Sequence, residues 1–221
     1  MKLLLTSGGI TNTSIHNALV RLLGKPVAES NALLIPTGIY AHPMAGPFTA
    51  WKAITGQFAG SLSRLEWKSL GVLELTALPS IPKEQWLPWL QQIDALLVEG
   101  GDALYLCHWM QQSGVADLLP SLDVVYVGLS AGSMVMTPHI GDYFVQWKPP
   151  SGGDETFGFV DFAIFPHLDH EMMPHNTLAH AEKWAAGMRV PSYAIDDQTA
   201  ITVNNGSIEV ISEGHWKQLA P

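Results

Sequence analysis

The sequence predicts an α/β fold: a three-layer sandwich around a mostly parallel sheet, finished by antiparallel C-terminal strands. Three observations carry this expectation. Short apolar runs recur, each closed by a glycine-rich or polar turn and followed by a stretch with helical spacing, the pattern of βαβ units with right-handed crossovers. The runs are apolar throughout instead of alternating, as strands covered on both faces are. Near the C-terminus the pattern changes to short β-branched runs around Asn204-Asn205-Gly206, a hairpin turn.

Taken in order, residues 2–6 form the first strand, which stops at Thr6-Ser7-Gly8-Gly9, and 14–23 the first helix. Strand 32–36, helix 48–59, helix 83–92, strand 95–99 and helix 103–112 follow. Strand 124–128 runs into Gly128-Leu129-Ser130-Ala131-Gly132 and a helix-like stretch at 133–136. Residues 137–158 carry Pro138, Pro149, Pro150, Gly152 and Gly153 without periodicity and read as a long loop, a kind of segment that tends to be functional. Residues 162–165 form a buried strand, 177–187 a helix, and 193–195, 200–203 and 208–212 the closing strands.

At 221 residues the chain fits a single domain spanning 1–221, and 47% hydrophobic residues with eight Trp supply a large core. Eleven basic against twenty acidic residues leave a net charge of −9, so nucleic acid is not an expected partner. Cys107 is the only cysteine, which excludes an internal disulfide and a thiolate zinc site. The apolar start at 3–5 is shorter than a signal-peptide core of about 7 residues. No run reaches the roughly 18 apolar residues of a membrane span. These features describe a soluble protein of a reducing compartment, the cytoplasm, with no membrane partner.

Gly128-Leu129-Ser130-Ala131-Gly132 sits where a strand turns into a helix, the setting of a nucleophile elbow that lifts a serine hydroxyl above the sheet edge. The competing explanation is a plain tight turn. Glu99-Gly100-Gly101-Asp102 closes the preceding strand, and its glycines let backbone N–H groups of Gly101 and Ala131 converge as an oxyanion hole. Asp102 there fits an N-cap as well as a substrate contact. Of nine histidines, His167 follows the buried run at 162–166 and so stands at a strand end, where catalytic groups of open α/β sheets collect. His170 and His175 flank Glu171, but Pro174 breaks the helical spacing that a zinc motif requires, so no metal is expected. Asp142, Asp154, Glu155 and Asp169 all qualify by spacing as the acid that orients the imidazole. Cys107 reads as a small buried hydrophobe.

Together these residues resemble peptidase family S51, which includes aspartyl dipeptidase (peptidase E) and cyanophycinase. The resemblance runs through Leu4-Leu5-Thr6-Ser7-Gly8-Gly9, Gly100-Gly101-Asp102, the elbow, Phe165-Pro166-His167 with Asp169, and Ala194-Ile195-Asp196-Asp197-Gln198-Thr199-Ala200. It implies a fold similar to flavodoxin and to class I glutamine amidotransferase domains, and a cofactor-free serine peptidase acting on short peptides. Ser130 would be its nucleophile, His167 its base, and the acid would lie on the loop after the elbow, with Asp142 the best match and Glu155 second. Asp102 and His170 are the expected substrate contacts. Homodimerisation is left open. Relatives selective for N-terminal Asp carry arginine after the histidine; residues 168–183 hold none, so His170, His175 or Lys183 would have to substitute, and strict aspartyl selectivity is not expected. The alternatives are an amidotransferase-like protein, which would want cysteine at the elbow, and a non-catalytic binding relative lacking the acid.

Overall fold

The structure is a computed structural model and describes residues 1–150 and 152–220. Its main sheet has seven strands: β1 (Lys2–Thr6), β2 (Asn31–Ile35), β3 (Ser69–Val72), β4 (Ala95–Val98), β5 (Val125–Leu129), β8 (Thr199–Asn204) and β9 (Ser207–Ser212), in the order β3-β2-β4-β5-β1-β8-β9. The first five are parallel. β8 runs antiparallel to β1, and the Asn205-Gly206 turn returns it as β9.

The apolar runs are continuous because both faces of the sheet are covered. Leu3, Leu5, Leu33, Ile35, Leu96, Val98 and Tyr126 point to one side, where Trp86 and Leu90 of α3 (Lys83–Leu90), Leu106 and Met110 of α4 (Ala103–Gln112) and Val115 of α5 (Val115–Leu118) meet them. Leu4, Leu34, Leu97, Val125 and Val127 point the other way, onto Ile15, Leu19 and Leu22 of α1 (Thr13–Leu23). α1 is capped at one end by the Asn12 side chain on Ile15 N–H and at the other by Gly24 in the left-handed region. α2 (Pro47–Ile54) is shorter than the 48–59 span its spacing predicts.

A second, three-stranded sheet holds β6 (Ala163–Phe165), β7 (Ser192–Ile195) and β10 (Trp216–Leu219), in the order β10-β7-β6. The expected strands at 162–165 and 193–195 therefore exist, but apart from the main sheet. Phe162 and Ile164 pack into the main core, while Ala163 and Phe165 pack on Ala181 and Trp184 of α7 (Leu178–Ala185). Two strands escape sequence reading. β3 is an exposed edge strand and β10 is buried only at Leu219, so neither carries a core-facing apolar pattern. Among the described residues no helix is long and apolar enough to cross a membrane.

This topology sets Thr6, Val98 and Gly128–Leu129 side by side at the carboxyl ends of β1, β4 and β5. Their loops, 7–9, 99–102 and 130–132, converge at one sheet edge, where open α/β folds place ligands.

Candidate active site

Leaving β5, the chain reverses at Ser130, whose φ of 49° and ψ of −110° lie in a region non-glycine residues seldom occupy; α6 (Ala131–Met134) follows immediately. Such a residue costs about 1–3 kcal/mol and persists where its surroundings over-determine it. Here they do. Ser130 N–H and Ser133 Oγ both donate to Thr6 O, at 3.0 and 2.8 Å, and Tyr126 OH donates to Gly132 O at 2.7 Å. The two elbow glycines are needed for close approach: a Cβ on Gly128 would fall 2.5 Å from Gly132 O, and one on Gly132 2.2 Å from Val98 O.

His167 follows β6, itself in the left-handed region at φ 57°. Its Nε2 lies 2.8 Å from Ser130 Oγ and its Nδ1 2.7 Å from Asp197 Oδ1. The carboxylate can only accept, so Nδ1 carries the proton and Nε2 is left to take one from the serine. Asp197 stands just past β7, in the turn to β8. Ser7 Oγ donates to the same Oδ1 at 2.7 Å, and Thr11 Oγ1 donates to Asp197 O at 2.6 Å. Gly8 leaves room for this carboxylate, since a Cβ there would meet Asp197 Cβ at 2.7 Å. Burial works against ionising Asp197, but the hydrogen bonds from His167 and Ser7 and the nearby imidazoles of His167 and His170 outweigh it and hold its pKa below the ordinary value.

The expected acid is thereby corrected. Asp142 and Glu155 line a separate cavity of about 680 Å³ between the 139–155 loop and α7, together with Lys183 and Arg189, and neither Ser130 nor His167 borders it. The physical reason is aromatic packing: Phe144, two residues beyond Asp142, is fixed against Phe165 and Trp184 and against the cluster of Ala131 and Met134, which holds Asp142 at the cavity beside α7. Asp154 and Asp169 are engaged elsewhere, on Gly141 N–H and the His215 imidazole. The signal for Asp197 is the one that singled out His167, a polar residue two positions past the end of a buried strand.

Asp102 is buried to 3% exposure and is corrected from substrate contact to anchor. Its two carboxylate oxygens accept Tyr105 N–H, capping α4, and Trp147 N–H, tying down the long loop, both at 2.8 Å. Burial raises its pKa against these hydrogen bonds. His170 Nε2 lies 3.5 Å from Asp197 Oδ2, and its ring stands edge-on to that of His167 with 6.0 Å between centroids. The Gly100-Gly101 turn lies against the elbow, with a Cβ on Gly100 reaching 3.4 Å from Ser130 Cβ. Gly101, at φ 116°, presses on Gly38, and neither its N–H nor that of Ala131 donates to any described residue. Beside this turn, burial of Glu99 pushes its pKa up to about 7 even though Gly100 and Leu62 N–H groups donate to it. Burial likewise pushes the Cys107 thiol up to about 12, far from a reactive thiolate.

One set of described side chains has the donor types and spacing to hold a cation: His139, Asp154 and Glu155, with one donor atom each within 4.8 Å of the others. Asp154 already serves the loop through Gly141 N–H, and His139 and Glu155 face each other across an isolated bridge. All three line the cavity beside α7, which Ser130 does not border.

The profile of Peptidase family S51 matches residues 3–211. Among solved structures, a candidate peptidase E from Listeria monocytogenes EGD-e superposes with a TM-score of 0.70 at 18% identity, over 96% of this chain and 98% of that one. A peptidase from an acI-B1 Actinobacterium superposes at 0.67 and 17% identity, over 99% and 93%. At that identity the likeness is one of fold. No curated protein matches the chain.

Proposed function

The chain belongs to peptidase family S51, and from that premise we propose that it is a serine peptidase of short peptides, dipeptides above all, working through Ser130, His167 and Asp197. The observation that carries the reading is the continuous relay from Ser130 Oγ to His167 Nε2, at 2.8 Å, and from His167 Nδ1 to Asp197 Oδ1, at 2.7 Å. Ser130 attacks the scissile carbonyl while His167 Nε2 accepts its proton. Asp197 holds the imidazole in that tautomer and stabilises the cation formed. The free N–H groups of Gly101 and Ala131 suit the negative oxygen of the tetrahedral intermediate, where fixed donors contribute most. His167 then protonates the departing amine, and the same base activates the water that frees the acyl group.

An amidotransferase chemistry is disfavoured by serine at the elbow and by the buried Cys107. A carboxylate on the imidazole argues against a non-catalytic relative. Action in the cytoplasm is part of the proposal and rests on the single, unpaired cysteine. The test is a dipeptide panel with purified wild type and Ser130→Ala. Hydrolysis by the first and its loss by several orders of magnitude in the second, with unchanged melting, is expected. Equal rates in the two would remove the nucleophile and with it the proposal.

A further inference from the structure

Ser7 is fully buried, directly after β1, and its hydroxyl joins two parts of the relay that come from distant stretches of chain. It accepts the backbone N–H of His167 at 2.7 Å and donates to Asp197 Oδ1 at 2.7 Å. One oxygen thus sets the height of the imidazole over the sheet edge and the position of the carboxylate that steers it. Its own place is secured by the sheet, since Ser7 N–H donates to Thr199 O and Thr6, its neighbour, is paired with Leu129 of β5. His167 needs such a restraint: it occupies the left-handed region, as does Asp169 two residues on, so the backbone has no intrinsic preference for holding the ring where it is.

We propose that Ser7 is a positioning residue of the Ser130–His167–Asp197 relay, acting through its paired hydrogen bonds to the His167 backbone and the Asp197 carboxylate. The inference rests on the catalytic reading of those three residues. The physical argument has two parts. A displacement of about 1 Å at a reacting group can cost on the order of a hundredfold in rate, and with Ser7 gone His167 N–H loses its acceptor while Asp197 Oδ1 is left with His167 Nδ1 alone. Ser7 also helps to keep Asp197 ionised, its hydrogen bond being one of the interactions that hold that carboxyl below its ordinary pKa, so without Ser7 the carboxylate is protonated at higher pH and its support of the imidazole is lost sooner on acidification. The titratable groups facing Asp197 are the imidazoles of His167 and His170, and the other polar neighbours, the hydroxyls of Ser7 and Thr11, are uncharged.

The test reads the nucleophile itself, by the rate at which a fluorophosphonate labels Ser130, so that it does not depend on knowing the substrate. Ser7→Ala is expected to slow labelling by about ten- to a hundredfold and to move the acid limb of the pH–rate profile upward. Ser7→Cys, which keeps the volume but offers a poor donor, should do the same if the alanine variant folds badly. In an Asp197→Asn background, Ser7→Ala should slow labelling by less than about twofold further, because residues acting as one unit are not additive. Labelling of folded Ser7→Ala and Ser7→Cys at the wild-type rate, with an unmoved acid limb, would overturn the inference, as would full additivity with Asp197→Asn. Absence of Ser130 labelling in the wild type would overturn both the relay and the role of Ser7. Labelling without hydrolysis of any dipeptide would reject the substrate class alone and leave Ser7 to be judged by the rates.

Discussion

Exchanging Asp142 for Asp197 on the imidazole changes what mutagenesis should find at single residues. Asp197→Asn would let the side chain donate to Nδ1 and favour the tautomer with its proton on Nε2, a change that costs about 10⁴ in kcat in serine proteases. A loss of about 10³ or more is expected in dipeptide hydrolysis, whereas Asp142→Asn should stay within about threefold of wild type; the reverse ranking would return the acid to the loop after the elbow. Glu99 gives a second prediction, in stability. Its ordinary value is 4.5 and its folded value about 7, because the carboxyl is 5% exposed and Oε1 has no partner. Between these values the folded chain retains a proton that the unfolded chain has lost, so the contribution of Glu99 to stability falls as pH rises from about 4.5 to 7 and stays low above. The difference is on the order of 3 kcal/mol. Glu99→Gln should therefore gain stability over wild type at pH 8 and little at pH 5, by denaturant midpoint at each pH; equal gains at both would mean that ionisation is not the source.

At the scale of elements, the elbow works because β5 and α6 approach with no side chain between them. A methyl at Gly128 meets backbone atoms of Gly132 and Ser133 at 2.5 to 2.7 Å, and backbone cannot swing aside as a side-chain end can. Gly128→Ala is expected to cost about 1–3 kcal/mol by overpacking and to displace Ser130, lowering kcat more than KM. Gly187→Ala, whose nearest atom lies at an ordinary 3.5 Å, should do neither. A Gly128→Ala protein with wild-type melting and kinetics would show that the turn has slack. The long loop at 137–158 has its own supports, Asp102 on Trp147 N–H and Trp184 Nε1 on Ile140 O. They build a second cavity beside α7, which Ser130 does not border, and leave the serine to loops from β1, β4 and β6.

For the whole molecule, charge and distribution bear on selectivity. Of the three described lysines and arginines after His167, Lys183 and Arg189 border the second cavity and Lys217 pairs with Glu182, so none is engaged at the serine. At pH 7 an Asp-Leu dipeptide should not be strongly preferred over Ala-Leu. A pH-independent preference of about a hundredfold in kcat/KM would show a permanent cation at the substrate, and Arg64, which lines a hollow with Thr11 and Gln198 next to Asp197, would be the residue to replace. Much of this architecture was legible in one dimension. Unbroken apolar runs such as 3–5 and 95–98 can be satisfied only between two helical layers, and Gly128-Leu129-Ser130-Ala131-Gly132 after such a run is a local geometry that needs only adjacent residues. His167 was legible for the same reason, as the polar residue ending a buried strand. The acid was not, although Asp197 ends a strand in the same way, because an ion pair between residues 30 positions apart depends on how two strands lie side by side. Ser7, 160 positions from His167, is further still from local reading. β3 and β10 were hidden too, since exposed strands need no apolar pattern. Sequence by itself determined the layers and the elbow that presents Ser130, which follow from nearest-neighbour chemistry and burial; only the tertiary structure decided which carboxylate meets the imidazole, because that contact is made by the pairing of β6 with β7, whose carboxyl ends bring His167 and Asp197 together.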